Sequence, residues 1–281
     1  IASGITLTVP SGMVLRVSGA VTNNGTISVQ TYASGGFIDI INSGSADTIQ
    51  RYAGAGSARS PAAYGERGAG GTTNLLGGRF GEGVGTAHIA AGLLRPGPGG
   101  GGGGAGCLSG TLGDQSSTGT FGGGTLTIIA GGAFSNTGTI TADGENALGL
   151  GTGGGGGGMI ILASRTSVTN TGTINARGGN GGASGVSNGA GGGGGGGIVH
   201  LISPAANNTG TINVGGGTAG TVGAAGSVSG TSSRQGGGAG GGSGGGGGSG
   251  GSITSSNPGS AGAGSTGIQL IRTGVDPTSL F

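Results

Sequence analysis

The chain has 281 residues, of which 85 are Gly, while only 3% are aromatic and 6% charged. Soluble domains average about 7% Gly and about 25% charged residues. This chain therefore lacks the large side chains of an ordinary core, and its ten Arg form no basic cluster typical of a nucleic-acid interface. Its seven Pro and uninterrupted Gly runs exclude collagen, which needs Gly at every third position.

The first predicted element is a short strand over residues 5–9. Ile5, Leu7 and Val9 alternate with Thr, and this period of two is typical of a β-strand. A strand at the start of a stack leaves an unpaired edge. We therefore take these three residues as candidate assembly positions.

A repeat begins at residue 21 and recurs at residues 134, 168 and 206. Each copy has the pattern apolar, any residue, Asn, any residue, Gly, Thr, Ile, and strand-like alternation follows it. Stacking of the copies predicts one column of Ile and a second column of Asn that caps a turn. The predicted columns contain Asn23, Gly25, Ile27, Asn136, Gly138, Ile140, Asn170, Gly172, Ile174, Asn208, Gly210 and Ile212.

The interval between the first two copies contains a non-repetitive segment over residues 44–98. It carries eight of the eighteen charged residues, together with Tyr52, Tyr64 and Phe80. We predict three regions: an N-terminal strand segment over 1–43, this insertion over 44–98, and a glycine-rich repeat region over 99–281. Specific recognition, if the protein performs any, is expected in the insertion, although we favour its interpretation as a solvated loop or a subunit contact.

Glycine-rich excursions over 144–158, 178–197 and 215–251 separate the later repeats. Each is followed by a short apolar strand, the last over 268–271, where Ile268 and Leu270 are further candidate assembly residues. Such tracts form either flexible linkers or extended threefold helices of the polyglycine-II type. We favour packed helices, because bare Gly backbones can approach closely and hydrogen-bond to their neighbours.

These patterns predict an all-β fold of stacked short strands with packed polyglycine-II helices. The stack is expected to be β-solenoid-like, because no single repeat can bury its own apolar face. A β-sandwich, whose hairpins share a turn sequence, is the alternative.

The residue types that usually act in catalysis or bind cofactors and metals form no recognisable site in this sequence. The match of Gly149, Gly151 and Gly154 to a dinucleotide motif lacks its βαβ context. Asp143 could hold one incidental ion, and His200 is interpreted as a strand-face residue. The single Cys107 is either a packed residue or a bridge between chains.

The copies NTGTINARGG and GGGGGGGIVHLIS resemble glycine-rich surface or secreted proteins of bacteria. The Gly runs followed by short apolar strands, mainly over 97–251, also resemble the tail-tip adhesins of T-even-type phages. That second resemblance implies a sandwich of polyglycine helices whose variable loops bind a host receptor. This chain differs in its regular Asn-x-Gly-Thr-Ile copies and in having few loop aromatics.

We therefore expect a non-enzymatic structural protein, located outside the cell or at its surface, that forms a filament, sheath or matrix. Its expected partner is itself, with no nucleic acid, no membrane insertion and no cofactor. The alternative is an adhesin, on a virion or a bacterium, that binds a cell-surface glycan or protein. The aromatic residues available for that role are Tyr32, Tyr52, Tyr64 and Phe80.

Overall fold

The computed structural model describes residues 1–31, 120–184, 189–222, 244–251, 260–275 and 277. Regular structure in these ranges is almost entirely β, in short strands of three to six residues. The strands are β1 Thr6–Val9, β2 Met13–Val17, β3 Val21–Asn23, β4 Thr26–Val29, β5 Thr125–Ala130, β6 Phe134–Asn136, β7 Thr139–Thr141, β8 Met159–Ser164, β9 Ser167–Asn170, β10 Thr173–Asn175, β11 Ile198–Ile202, β12 Ala205–Asn208, β13 Thr211–Asn213 and β14 Ile268–Arg272.

The strands form three sheets, and every pairing among the described strands is parallel. Sheet A has the order β1-β4-β7-β10-β13, sheet B β14-β11-β8-β5-β2 and sheet C β12-β9-β6-β3. The chain visits sheets B, C and A in turn and then begins the next layer. The prediction of an all-β stack is confirmed, and parallel pairing excludes a hairpin sandwich for these strands.

The main core lies between the three sheets, and alternating residues of each strand point into it. In sheet A, Ile27 aligns with Ile140 and Ile140 with Ile174, and all three are buried. One apolar residue per strand is enough to form a core, because each layer adds its residue to the same column. The repeat therefore builds a core from many short strands, each with little apolar surface of its own.

Sheet B is buried on both faces along β5, β8 and β11. One face contributes to the main core, and the other carries a second apolar cluster. We call this second set the outer cluster; it contains Ile129, Met159, Ile161, Ala163, Ile198 and Ile202. Burial on both faces explains why these strands are continuous apolar runs without alternation.

The described glycine segments leave the stack after a sheet A strand and return before a sheet B strand. They hydrogen-bond laterally to one another, as in the bonds from Gly154 N to Gly192 O (2.9 Å) and from Gly157 N to Gly195 O (2.8 Å). A Cβ added at Gly194 would overlap the carbonyl oxygen of a neighbouring segment. Glycine is required at this position because the backbones approach so closely.

Several predictions concern residues outside the described ranges. They are the insertion over 44–98, the aromatic residues named for an adhesin, and Cys107. The third predicted excursion, over 215–251, is described only at 215–222 and 244–251.

Candidate functional site

The four repeat Asn residues end the four strands of sheet C and form one hydrogen-bonded column. Nδ2 of Asn23 donates to Oδ1 of Asn136 at 2.7 Å. The same bond joins Asn136 to Asn170 and Asn170 to Asn208, at 2.6 Å in both cases. Asn23, Asn136 and Asn170 are fully buried. The side chains therefore fix the vertical register of the stack inside its core.

The repeat glycines stack at the corner between sheets C and A. A Cβ at Gly138 would overlap the carbonyl oxygen of Gly25, and one at Gly172 would overlap that of Gly138. The same overlap recurs between Gly210 and Gly172. The motif therefore needs Gly because successive corners lie directly on top of one another.

The Asn column has a direction, and it ends at Asn23. Oδ1 of Asn23 is buried and has no hydrogen-bond partner in the described part of the chain. In the next layer Ile1 occupies the position of an Asn, since its carbonyl accepts from Asn24 N at 2.9 Å. At the other end, Oδ1 of Asn208 accepts from Nδ2 of Asn170, so Nδ2 of Asn208 is the last donor of the column.

The described stack ends on one side at β1 and β2, which we call the entry end. Leu7 aligns with the core residue Ile27, yet Leu7 is 41% exposed and Ile27 only 2%. Leu15 aligns with the buried Ile128 and is 38% exposed. Among the described strands each leucine has an aligned neighbour on one side only, and its exposed fraction adds apolar surface to this end.

The described stack ends on the opposite side at β13 and β14, which we call the exit end. Ile271 aligns with the fully buried Leu201 but is 40% exposed. Ile212, the last member of the Ile column, is only partly buried. The exit end thus presents residues of the same kind as the entry end.

The five predicted assembly residues lie at these ends but differ in environment. Ile5 and Leu7 are exposed, whereas Val9 is buried in the main core. Ile268 and Leu270 pack against the outer cluster rather than the main core. The sequence analysis missed Leu15 and Ile271, although alternation within their strands could have indicated them.

A polar contact between the glycine-rich arms was also missed. Asp143 Oδ1 accepts from the backbone N of Arg177 at 2.6 Å, and Oδ2 accepts from its Nη2 at 2.7 Å. The hydrogen bond to Asp143, and secondarily its charge, raises the pKa of Arg177. One step along the arm, Asn180 N donates to Asn146 Oδ1 at 2.8 Å. Side chains therefore join successive arms along their exposed edge.

The described residues contain no cluster of three or more His, Cys, Asp or Glu able to hold a metal ion. His200 lies on the outer face of sheet B, where burial, with a smaller effect from Arg272, lowers its pKa to about 4. Its Nε2 has no hydrogen-bond partner within the described ranges. The imidazole is therefore neutral at physiological pH.

Exposed apolar residues also lie at the tip of the first glycine-rich arm and at the end of the described part of the third arm. They are Leu148, Leu150 and Val222, and we call them the apolar tip region. Hydrogen bonds from Gly151 N to Ala183 O and from Ser184 N to Thr221 O, 2.8 and 2.9 Å long, join the first arm to the second and the second to the third.

Among the residues that the structure describes, no helix is long and apolar enough to cross a membrane. Comparison of the chain with family models, curated proteins and solved structures finds no match.

Proposed function

We propose that this chain is a structural subunit of an extracellular filament, sheath or matrix, that it assembles with copies of itself, and that it is not an enzyme. The observation that carries the proposal is the exposure of core-type apolar residues on the terminal strands of the described stack. Leu7 and Leu15 are exposed at the entry end, and Ile271 is exposed at the exit end.

Repeat proteins that remain soluble as monomers usually cover their terminal repeats with a polar outer face. The terminal strands of the described stack carry core-type leucine and isoleucine. Edge strands with exposed apolar residues favour pairing with another chain. A second copy that stacks on either end would bury these side chains and continue the sheets.

The direction of the strands decides the geometry of such a contact. All described strands run parallel, so the entry end and the exit end present different surfaces. Two entry ends cannot continue one another's sheets in parallel, whereas an exit end and an entry end can. A contact between unlike surfaces that does not close into a ring generates a filament.

We also infer that the glycine-rich arms are polyglycine-II helices that form a rigid layer beside the stack. The support is a period of three residues in both hydrogen bonding and exposure. Gly191 N and Gly194 N donate to one neighbouring segment, at Gly182 O and Gly179 O, both at 2.8 Å. Three residues per turn is the period of this helix.

Exposure along an outgoing arm follows the same period. Arg177 and Asn180 are exposed, while Ala176 and Gly179 are buried. Polar side chains thus cover the outer edge, and Gly occupies the positions where helices meet. Low charge and backbone hydrogen bonding suit a passive structural role outside the cell, with neither nucleic acid nor membrane as partner.

Sedimentation velocity of charged variants tests assembly through the ends. Leu7→Glu and Leu15→Glu place a carboxylate on the exposed apolar surface of the entry end, so both variants should sediment as monomers while the parent protein forms large species. Leu148→Glu is the matched control, because that leucine is exposed at an arm tip. Unchanged assembly of both end variants would exclude the ends as the interface.

The apolar tip region favours an adhesin as the second candidate. Leu148, Leu150 and Val222 would then contact a cell-surface glycan or protein. This alternative predicts discrete particles that bind cells, with binding lost in Leu148→Glu and retained in Leu7→Glu. Equal binding by the two variants would argue against it.

A further inference from the structure

The outer face of sheet A carries two columns of short polar side chains. The alternation that directs Ile27, Ile140 and Ile174 into the core directs their neighbours outward, and these neighbours are half-buried or exposed. In register along the sheet, the first column is Thr6, Thr26, Thr139, Thr173 and Thr211, and the second is Thr8, Ser28, Thr141, Asn175 and Asn213. We call these ten residues the threonine face.

The first column of the threonine face is held in the same way in every layer. The backbone N of each later member donates to the residue that precedes the aligned threonine, at 2.8 Å from Thr26, Thr139 and Thr173 and at 2.9 Å from Thr211. The side chain of threonine is β-branched, which restricts its χ1 angle. The hydroxyl groups therefore stand in a regular and stiff row.

The two columns together form a rectangular grid. Neighbouring strands lie about 4.8 Å apart, and residues two apart on one parallel strand are separated by about 6.6 Å. The register is kept residue for residue from β1 to β13, so the grid continues over five strands without a slip. Such a face can contact a periodic partner at many points at once.

The stack alone does not explain the uniformity of the first column. Its five members are all Thr, whereas the core column behind it begins with Leu7 and continues with Ile. The high strand propensity of Thr favours it on any outer face, yet the outward column of sheet C is mixed, with Thr22, Ser135, Thr169 and Asn207. A uniform column points to a contact that recurs in every layer.

The chemistry of the grid is also unusual for a solvent-facing surface. Surfaces of soluble domains carry about 25–35% charged residues, but none of the ten residues of the threonine face is charged or aromatic. Charges begin just beyond it, where Thr141 Oγ1 donates to Asp143 Oδ2 at 3.1 Å and Asp143 pairs with Arg177. The grid is therefore a neutral area with a charged border at the start of the arms.

We propose that the threonine face binds ice. Ice is an uncharged lattice of hydrogen-bond donors and acceptors, and oxygen atoms on its prism face repeat at two perpendicular distances close to those of the grid. A neutral face matches a neutral lattice, whereas a glycan would find no aromatic ring here on which a sugar could stack. This function is additional to the structural role proposed above and does not depend on it.

Many weak contacts formed together account for the strength of such binding. One hydroxyl gains little by exchanging liquid water for ice, but contacts made by a single rigid body reinforce one another. Because the threonine side chains and their register are already fixed, little conformational entropy is lost on binding. The parallel stack thus supplies the preorganisation that contact with a crystal surface requires.

Slow growth of ice from a dilute solution of the full chain tests the proposal. The ratio of protein concentration in the ice to that in the remaining liquid should be high for the parent protein. The double variant Thr139→Tyr and Thr173→Tyr places two large rings on the grid and keeps ice away from it, so this ratio should fall about tenfold. Tyrosine is favoured in strands, and far-UV circular dichroism checks that the fold is retained.

Thr169→Tyr is the matched control, because Thr169 is a half-buried outward residue of the same layer as Thr173 but lies on sheet C. It should enter ice as the parent protein does. Exclusion of the parent protein from ice, or equal partitioning of the double variant and the control, would overturn the proposal. Loss of self-assembly in the double variant, with no enrichment of the parent in ice, would instead identify the face as a contact between copies.

Discussion

Nδ2 of Asn136 donates to Oδ1 of Asn170 at 2.6 Å between two adjacent layers of the stack. Both side chains are completely buried, and each takes part in a further amide bond to the next layer. A column of amides in an otherwise apolar core specifies register, because a slip of one residue would leave every member unpaired.

Removal of one amide should therefore destabilise the protein strongly. Asn136→Ala leaves Asn170 Oδ1 buried without its partner and leaves Asn23 Nδ2 with only its longer bond to Thr139 O, so we expect a loss of about 1–3 kcal/mol in the free energy of unfolding. Urea denaturation measures it. Asn207→Ala, an exposed position of β12, is the control and should cost less than about 0.5 kcal/mol. Similar losses in both variants would argue against a structural role of the column.

A methyl group in the glycine layer should also be destabilising. In Gly194→Ala the new Cβ would overlap backbone atoms of a neighbouring segment, and such overpacking costs about 1–3 kcal/mol or more. Gly19→Ala is the control, because a Cβ there contacts nothing within 4 Å. Thermal unfolding should show a lower midpoint for the first variant only. An unchanged midpoint for Gly194→Ala would show that the arms are not closely packed.

Burial of His200 predicts an acid dependence of stability. Its pKa is lowered from 6.5 to about 4 in the folded protein, so the unfolded chain binds more protons between these values. Stability should therefore fall as the pH is lowered from about 6.5 to about 4, by up to about 3 kcal/mol, and then level off. His200→Leu, compared with the parent across this range, should lack that component. Parallel pH profiles would contradict the burial of a neutral imidazole.

The exposed pair of Asp143 and Arg177 should contribute little by comparison. Its Arg side chain is half exposed, and surface ion pairs are worth about 0–1 kcal/mol. Asp143→Asn should therefore lower the free energy of unfolding by less than about 1 kcal/mol. The difference should shrink further in 1 M salt, where screening is strong. A large loss of unfolding free energy that does not change with salt would contradict this prediction.

The repeat made much of the stack predictable from the sequence. Identical spacing around Asn136, Asn170 and Asn208 indicates that equivalent residues lie above one another, because stacked repeats keep their register. The alternation after each Asn also distinguishes core positions such as Ile140 and Ile174 from their outward neighbours. These inferences depend only on the local period and on the similarity between copies, and both can be read directly from the sequence.

Other features depend on contacts that no local pattern reports. The apolar run Met159–Ser164 is typical of a strand buried on both faces, but it does not reveal which residues, such as Ile198 and Ile202, pack with its second face. Leu15 and Ile271 look like ordinary core residues, and only their place in the terminal layers exposes them. The bond between Asp143 and Arg177 became evident only when the arms were seen side by side.

The most direct test of the account is negative-stain electron microscopy of the purified chain in neutral buffer at moderate salt. Head-to-tail stacking predicts long filaments of uniform width that are absent from the Leu7→Glu preparation. Discrete particles of single-chain size in the parent preparation, at concentrations up to the limit of solubility, would contradict the proposal of a self-assembling subunit.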